Sequence, residues 1–199
     1  MPQAMTEVEI QQWRQQLSDI SDTALEQMLI SWLRQSESRM RALAVAARLN
    51  LPQGYIAAGF IRNLVWDRFH GITTALNDID LIYFDPNDVS DGIEAHYQQQ
   101  LKQWLPIAWS VKNQARMHLK HKHQPYTGVL QAMRYWPEHE TAIAARLKQG
   151  QVEIIHTGYL RSLLALQLTR NPHAVDGAFQ QRVADRGWLE IYQHLKLIL

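Results

Sequence analysis

The stretch from Tyr55 to Phe84 constrains the fold of this chain more than any other. A short apolar run, Tyr55-Ile56-Ala57-Ala58, ends at Gly59, and Phe60 to Phe69 then sets Ile61, Leu64, Val65 and Phe69 on one face of a helix. His70-Gly71 closes that helix, and Asn77 to Phe84 has the alternation and the β-branched and aromatic content of a second strand, stopped by Asp85-Pro86-Asn87. Strand, glycine, helix and strand in this order make an α/β unit. It places the free N–H groups of a helix N-terminus at the end of a strand.

The flanks extend this unit. From Thr6 to about Asn50 the apolar residues Leu25, Met28, Leu29, Trp32 and Leu33 recur at helical spacing, which fits two or three helices. Ser21-Asp22 caps the helix from Thr23 to Arg34, and Ser36 or Ser38 opens the next. Leu51-Pro52 ends the helical region, because a residue before proline avoids α geometry. Further on, Ser90 to Leu105 reads as a helix, Ile107 to Leu119 contains an extended segment and Tyr126 to Tyr135 is again helical. Thr141 to Leu147 and Gln151 to His156 form a hairpin through Lys148-Gln149-Gly150, and helices are expected from Tyr159 onward, with Leu163, Leu166 and Leu168 marking a packed one. This divides the chain into an N-terminal helical segment (1–50) packed on a core (51–158), followed by a C-terminal helical segment (159–199).

At 199 residues, 46% apolar and 20% charged, the chain has the composition of one globular core, and it is too short for two full-sized domains. Its longest apolar runs fall short of the roughly 18 residues a membrane helix needs, and the polar N-terminus is not a secretory signal, so a cytoplasmic protein is expected. The absence of cysteine excludes disulfides, thiolate metal sites and a cysteine nucleophile. Any metal must be held by oxygen or imidazole. A net charge of +1 gives no overall bias toward nucleic acid or membrane.

Side chains alternate across a strand, so Asp78 and Asp80 point to one face with their backbones about 6–7 Å apart. Like charges this close raise each other's pKa unless a cation lies between them, and hard divalent ions prefer carboxylate oxygen. An isolated Asp-x-Asp also occurs on edge strands whose acids simply face water. Gly59, some twenty residues upstream at the helix N-terminus, adds a place where backbone can approach a phosphate, although a tight turn with positive φ explains a lone glycine equally well.

Four ordered blocks carry a resemblance. They are Ala57-Ala58-Gly59-Phe60-Ile61-Arg62-Asn63-Leu64-Val65-Trp66-Asp67, Leu76-Asn77-Asp78-Ile79-Asp80-Leu81-Ile82-Tyr83-Phe84-Asp85, Trp109 to His118, and Tyr135-Trp136-Pro137-Glu138 with Thr141-Ala142. Through them the chain, over roughly Tyr55 to Arg170, resembles the bacterial nucleotidyltransferase-like proteins of the polymerase-β superfamily. The resemblance implies a mixed sheet with flanking helices, to which helices are added at both ends. It also implies a Mg²⁺ (or Mn²⁺) site on Asp78 and Asp80, which would serve as the catalytic pair, and a glycine-bearing turn at Gly59 and Phe60 for a nucleoside triphosphate.

Arg62 and Asn63, in the first turn after Gly59, are expected phosphate contacts, as are Lys112 and Arg116, which alternate along a third strand placed at Ile107 to Arg116. Solvated charges, or charges paired with Asp67 and Asp85, are the competing reading. Asp67 is expected to brace the site. Asn113 and Gln114 either meet a base or ribose edge or satisfy buried backbone, and Ser110 adds polar support. His118, His121 and His123 lack the spacing of a zinc site. Active members of the superfamily carry a third carboxylate on the neighbouring strand, but here Ser110, Lys112 and Asn113 occupy the corresponding positions. The Gly-Leu-x-Asp-Leu-Phe pattern of the family is also replaced, by Tyr159-Leu160-Arg161-Ser162-Leu163-Leu164.

Two functions follow. One is a metal-dependent transfer of a nucleotidyl group from a nucleoside triphosphate to a hydroxyl acceptor that the sequence does not identify. The other is a non-catalytic module of the same fold that binds a nucleotide or a protein partner. An acid brought in from Glu138, Glu140 or Glu153 would rescue the first, and an apolar or basic wall facing Asp78 and Asp80 would sink it.

Overall fold

The computed structural model describes residues 3–199. Three helices open the chain: α1 (Glu7–Gln16), α2 (Asp22–Gln35) and α3 (Glu37–Ala47). The Ser21 hydroxyl caps α2 by accepting from Ala24 N at 3.2 Å, and Leu25, Leu29 and Leu33, spaced four apart, form its buried stripe. There follow β1 (Tyr55–Ala57), α4 (Gly59–His70), β2 (Ile79–Tyr83), α5 (Asp91–Trp104), β3 (Trp109–Asn113), α6 (Gln114–His121) and α7 (Val129–Met133). Next come β4 (Ile143–Lys148), β5 (Gln151–His156), α8 (Leu160–Leu164), β6 (Gln167–Thr169), α9 (Ala178–Arg186), α10 (Trp188–Ile191) and β7 (Lys196–Ile198).

The main sheet runs in the order β3-β2-β1-β4-β5. Strands β2 and β3 are parallel and the other pairs antiparallel, so the sheet is mixed. Alternation divides its side chains between two unequal cores. Ile56, Ile79, Leu81, Tyr83, Trp109, Val111, Ile143 and Ala145 face a large core that also takes in Ile10 of α1, Leu29 of α2, Leu43 of α3, Ile61 and Trp66 of α4, and Leu101 of α5. Residues from the two ends of the chain, such as Leu17 and Leu195, belong to this same cluster. On the opposite face Tyr55, Ala57, Ile82 and Ala144 meet only Val129 and Met133 of α7, Ala142 and a few half-buried neighbours. Asp80 and Ser110 share this thinly covered face, since Ala57 pairs with Asp80 and Asp80 with Ser110. Helices crowd one side of the sheet, and the polar strand residues open onto the other.

Several local expectations are corrected. The second strand begins at Ile79 rather than Asn77, because its first rung is the bond from Ile79 N to Ala108 O; Asp78 lies just before it. The third strand stops at Asn113, whose side chain accepts from Ala115 N and so caps a helix in place of further strand. The C-terminal region is not all helix. Helix α8 ends near Leu164, Leu166 takes a left-handed φ of 57°, and Leu168 lies in β6, which pairs in parallel with β7. All of Leu163, Leu166 and Leu168 are nonetheless buried, so the apolar reading holds while the helical one does not.

Candidate active site

The strand-to-helix turn is built with the strain one residue earlier than the glycine. Ala58, not Gly59, carries the positive φ, at φ 57° and ψ −120°. Its backbone is held on both sides, with Ala58 N donating to Ile143 O at 3.0 Å and Ala58 O accepting from Ile61 N and Arg62 N. A non-glycine residue in this region costs on the order of 1–3 kcal/mol and persists only where the surroundings fix it. The N–H groups of Gly59 and Phe60 precede the first intrahelical bond and belong to the unpaired first turn. Gly59 is itself helical. What it provides is space, since a β-carbon there would lie 3.2 Å from Arg62 Nη2.

Ala58, Gly59, Phe60, Arg62, Asn63, Asn77, Asp78 and Asp80 line one cavity of about 200 Å³. The structure thus brings together Gly59, Arg62, Asn63, Asp78 and Asp80 of the residues the sequence singled out, together with the backbone of Phe60, whose side chain turns into the large core. Asp78 is exposed and Asp80 half-buried. Burial pushes the Asp80 carboxyl above its ordinary range and the like charge of Asp78 adds to this, while a hydrogen bond from Ser110 and the fields of Arg182 and Arg186 pull it back. The donors of this pair are all oxygen, the type that a hard divalent ion prefers, so Asp78 and Asp80 are the residues that could hold a Mg²⁺ or Mn²⁺. No group of three or more His, Asp or Glu side chains suited to a metal occurs among the described residues.

Arg62 is the most informative side chain of the cavity. It is 6% exposed, and its guanidinium packs against the mutually edge-on rings of Trp66 and Trp188, 4.8 and 4.3 Å from their centroids. Its Nε and Nη2 donate to Asn63 Oδ1 at 3.1 and 2.9 Å, which fixes the fork. Burial pushes its pKa down to about 10, and the nearby Glu138 charge offsets only part of this. Among the described residues no carboxylate comes within ion-pair distance of it. A buried cation without a counter-ion is costly, and an anion in the cavity would remove that cost.

Two cavity residues escaped sequence reasoning. Arg182 and Arg186, one turn apart on α9, close the cavity opposite the aspartates, and Arg186 Nη2 lies 4.0 Å from Asp78 Oδ2. Arg182 Nε donates to the fully buried Glu138 at 2.7 Å. Their four-residue spacing was visible in the sequence, but nothing local showed where that helix docks. The wall facing Asp78 and Asp80 is therefore basic, and three guanidinium groups line the cavity against two carboxylates.

The acids considered for a third position are engaged elsewhere. Glu138 also accepts from Thr141 Oγ1 at 2.9 Å, Glu140 accepts from Ser162, Thr169 N and Thr169 Oγ1, and Glu153 pairs with Arg146 across the hairpin. Ser110 stands in register with Asp80 on β3.

The remaining expected phosphate contacts are corrected. Arg116 lies on α6, where Nε and Nη2 grip the buried Glu94 at 2.9 and 2.6 Å, and it lines neither cavity of this face. Lys112 also pairs with Glu94, at 3.3 Å, and lines a second, larger cavity beyond Asp80 together with Gln114. Glu94 is the partner that sequence reading missed. Asn113 satisfies buried backbone, donating to Asp85 O and Asp88 O and accepting from Asp85 N. Asp67 braces the helix, as it accepts from Thr74 N, Thr74 Oγ1 and the Tyr192 hydroxyl at 2.8–2.9 Å.

No helix among the described residues is long and apolar enough to cross a membrane. No curated protein matches the chain. Among solved structures it is similar to one determined by NMR and described as revealing a CCA-adding enzyme head domain. The two share 28% identity over 86% of this chain and 94% of that one, with a TM-score of 0.75. The sequence model of a family described as nucleotidyltransferase matches residues 44–197. That span runs from α3 through β7 and takes in every residue of the cavity, and with it the chain belongs to the nucleotidyltransferase family.

Proposed function

We propose that the chain transfers a nucleotidyl group from a nucleoside triphosphate to a hydroxyl acceptor. The observation that carries this reading is the juxtaposition, in one cavity, of a buried arginine without a carboxylate partner and an Asp-x-Asp pair. The unpaired N–H groups at the start of α4 and the Arg62 fork hold the β- and γ-phosphates. Gly59 keeps that approach free of side-chain atoms. Asp78 and Asp80 would hold a divalent ion, which when bound screens phosphate charge and polarises the α-phosphate. Arg182 and Arg186 balance charge on the leaving pyrophosphate, and Glu138 fixes the direction of Arg182. The basic wall is the arrangement expected from the sequence to sink transfer, and it is unfavourable for a bare second metal site; it nonetheless suits a polyphosphate, whose several negative charges exceed what one divalent ion neutralises.

A second reading has a specific observation behind it. Ser110 stands where a third carboxylate would accept the acceptor's proton, so a module that binds the nucleotide without turning it over keeps every other feature. Incubation of the full chain with each α-labelled nucleoside triphosphate, Mg²⁺ and a mixture of small hydroxylated metabolites separates the two. Transfer of label with release of pyrophosphate, lost in Asp80→Asn, is the expected result. Binding without any transfer would favour the second reading.

A further inference from the structure

The second cavity, beyond Asp80, measures about 350 Å³ and meets the phosphate cavity only at Ala58, Asp80 and Arg182. This contact matters for the direction of attack. In nucleotidyl transfer the attacking and leaving oxygens stand on opposite sides of the phosphorus. With pyrophosphate held at Gly59, Arg62 and Arg186, and the α-phosphorus at Asp80, the attacking hydroxyl arrives from the side of the second cavity.

The lining of this cavity describes its occupant. Ile82 and Met117 give apolar walls, and Tyr126 and Tyr135 present rings stacked at 5.4 Å and 23°, with His123 packed at 4.2 Å on Tyr135. His123 Nδ1 and the Tyr126 hydroxyl share a hydrogen bond of 2.6 Å that fixes the stack. Lys112 and Lys120 reach the same space, and Asp80 is the only carboxylate that lines it. Lys112 is already paired with Glu94, whereas Lys120 makes no ion pair among the described residues. The volume suits a ligand of one ring to a nucleoside.

We propose that the second cavity is the acceptor site, and that it takes a small hydroxyl-bearing molecule combining a flat ring with a phosphate or carboxylate group. The inference rests on the transfer reading above. The acceptor oxygen bonds to the α-phosphorus of the nucleoside triphosphate, the bond from that phosphorus to the bridging oxygen breaks, pyrophosphate departs with the electron pair, and the hydroxyl proton passes to water. The net charge of +1 gives no overall bias toward a polymer, and a cavity of about 350 Å³ suits a small molecule, which is the occupant argued for.

The test is calorimetry on the full chain in two stages. An α,β-methylene nucleoside triphosphate with Mg²⁺ is titrated first, and AMP and 4-(hydroxymethyl)benzoate are then titrated into the loaded protein. At least one of these probes is expected to bind. Lys120→Gln, an exposed position that does not endanger folding, and Tyr135→Leu are each expected to weaken it about tenfold while leaving the affinity for the analogue within about twofold. Binding of neither probe, displacement of the probe by the analogue, indifference to both substitutions, or binding only of a single-stranded RNA 3′ end would each overturn the proposal. Failure of the analogue itself to bind in the first stage would instead overturn the transfer reading, and the acceptor assignment with it.

Discussion

Replacing Gly59 by alanine should separate what this residue does for the fold from what it does for a ligand. Gly59 is the first residue of α4 and has a helical φ, so alanine is permitted there and gains up to about 1 kcal/mol of helix propensity. Against this, the new methyl would sit 3.2 Å from Arg62 Nη2. The guanidinium is confined, because Trp66 and Trp188 both pack against it and its Nε and Nη2 donate to Asn63 Oδ1. A shift of a few tenths of an ångström in a packed site costs about 1 kcal/mol or somewhat more. The two effects nearly cancel, and for a chain of this length the melting temperature should move by no more than about 4 °C. Binding should change far more. The methyl fills the approach to the first-turn N–H groups and displaces the Arg62 fork, and loss of one charge-assisted hydrogen bond, about 1.5–3 kcal/mol, weakens a triphosphate ten- to hundredfold. Thermal melting followed by calorimetry, using whichever of the four nucleoside triphosphates binds the native chain most tightly with Mg²⁺, reads both quantities. Affinity within twofold of the native value, or a fall in melting temperature beyond about 10 °C, would overturn this role for Gly59.

Asp67→Ala should give the reverse pattern: it strands the Thr74 N–H and the buried Tyr192 hydroxyl, so the melting temperature should fall by about 10 °C while triphosphate affinity changes less than threefold. Arg186→Ala removes a half-exposed guanidinium whose pair with Asp78 is weak, so stability should hold within about 2 °C while triphosphate affinity falls roughly three- to tenfold, a loss that shrinks at high salt. Glu94 should govern part of the acid limb of stability. Burial pushes its carboxyl up, but the hydrogen bonds from Arg116 and Asn113 N and the charge of Lys112 outweigh this and hold it below the ordinary glutamate range. Its contribution is therefore complete above about pH 4.5 and is lost as pH falls through the lowered folded value, and Glu94→Gln should flatten that limb in acid melts.

The sequence made legible those parts of the fold that are decided locally. Ser21 announces α2 because its hydroxyl satisfies a helix donor three residues on, and Lys148-Gln149-Gly150 announces the hairpin because Gln149 and Gly150 both take positive φ. Around the site, the order Gly59, Arg62, Asp78, Asp80 was readable because a strand end and a helix start must meet at the glycine. What escaped depends on distant partners. Lys112 to Leu119 carries side chains compatible with strand or helix, and the choice is made by the Asn113 cap and by Glu94 on α5. Strands β6 and β7 have three residues each and pair across the whole C-terminal segment, so neither has a period long enough to read. The strain at Ala58 is invisible in sequence, because a neighbouring glycine would ordinarily be chosen to carry it.

Asp78, Asp80 and the start of α4 are proposed to form one nucleotide and metal site. The most direct test is a calorimetric titration of ATP, GTP, CTP and UTP with and without Mg²⁺, with the Asp78→Asn/Asp80→Asn double variant alongside. At least one triphosphate is expected to bind, Mg²⁺ to strengthen its binding, and the double variant to lose the Mg²⁺-dependent part while keeping its melting temperature. Binding that is indifferent to Mg²⁺ and to the double substitution, or no binding of any triphosphate, would contradict this site.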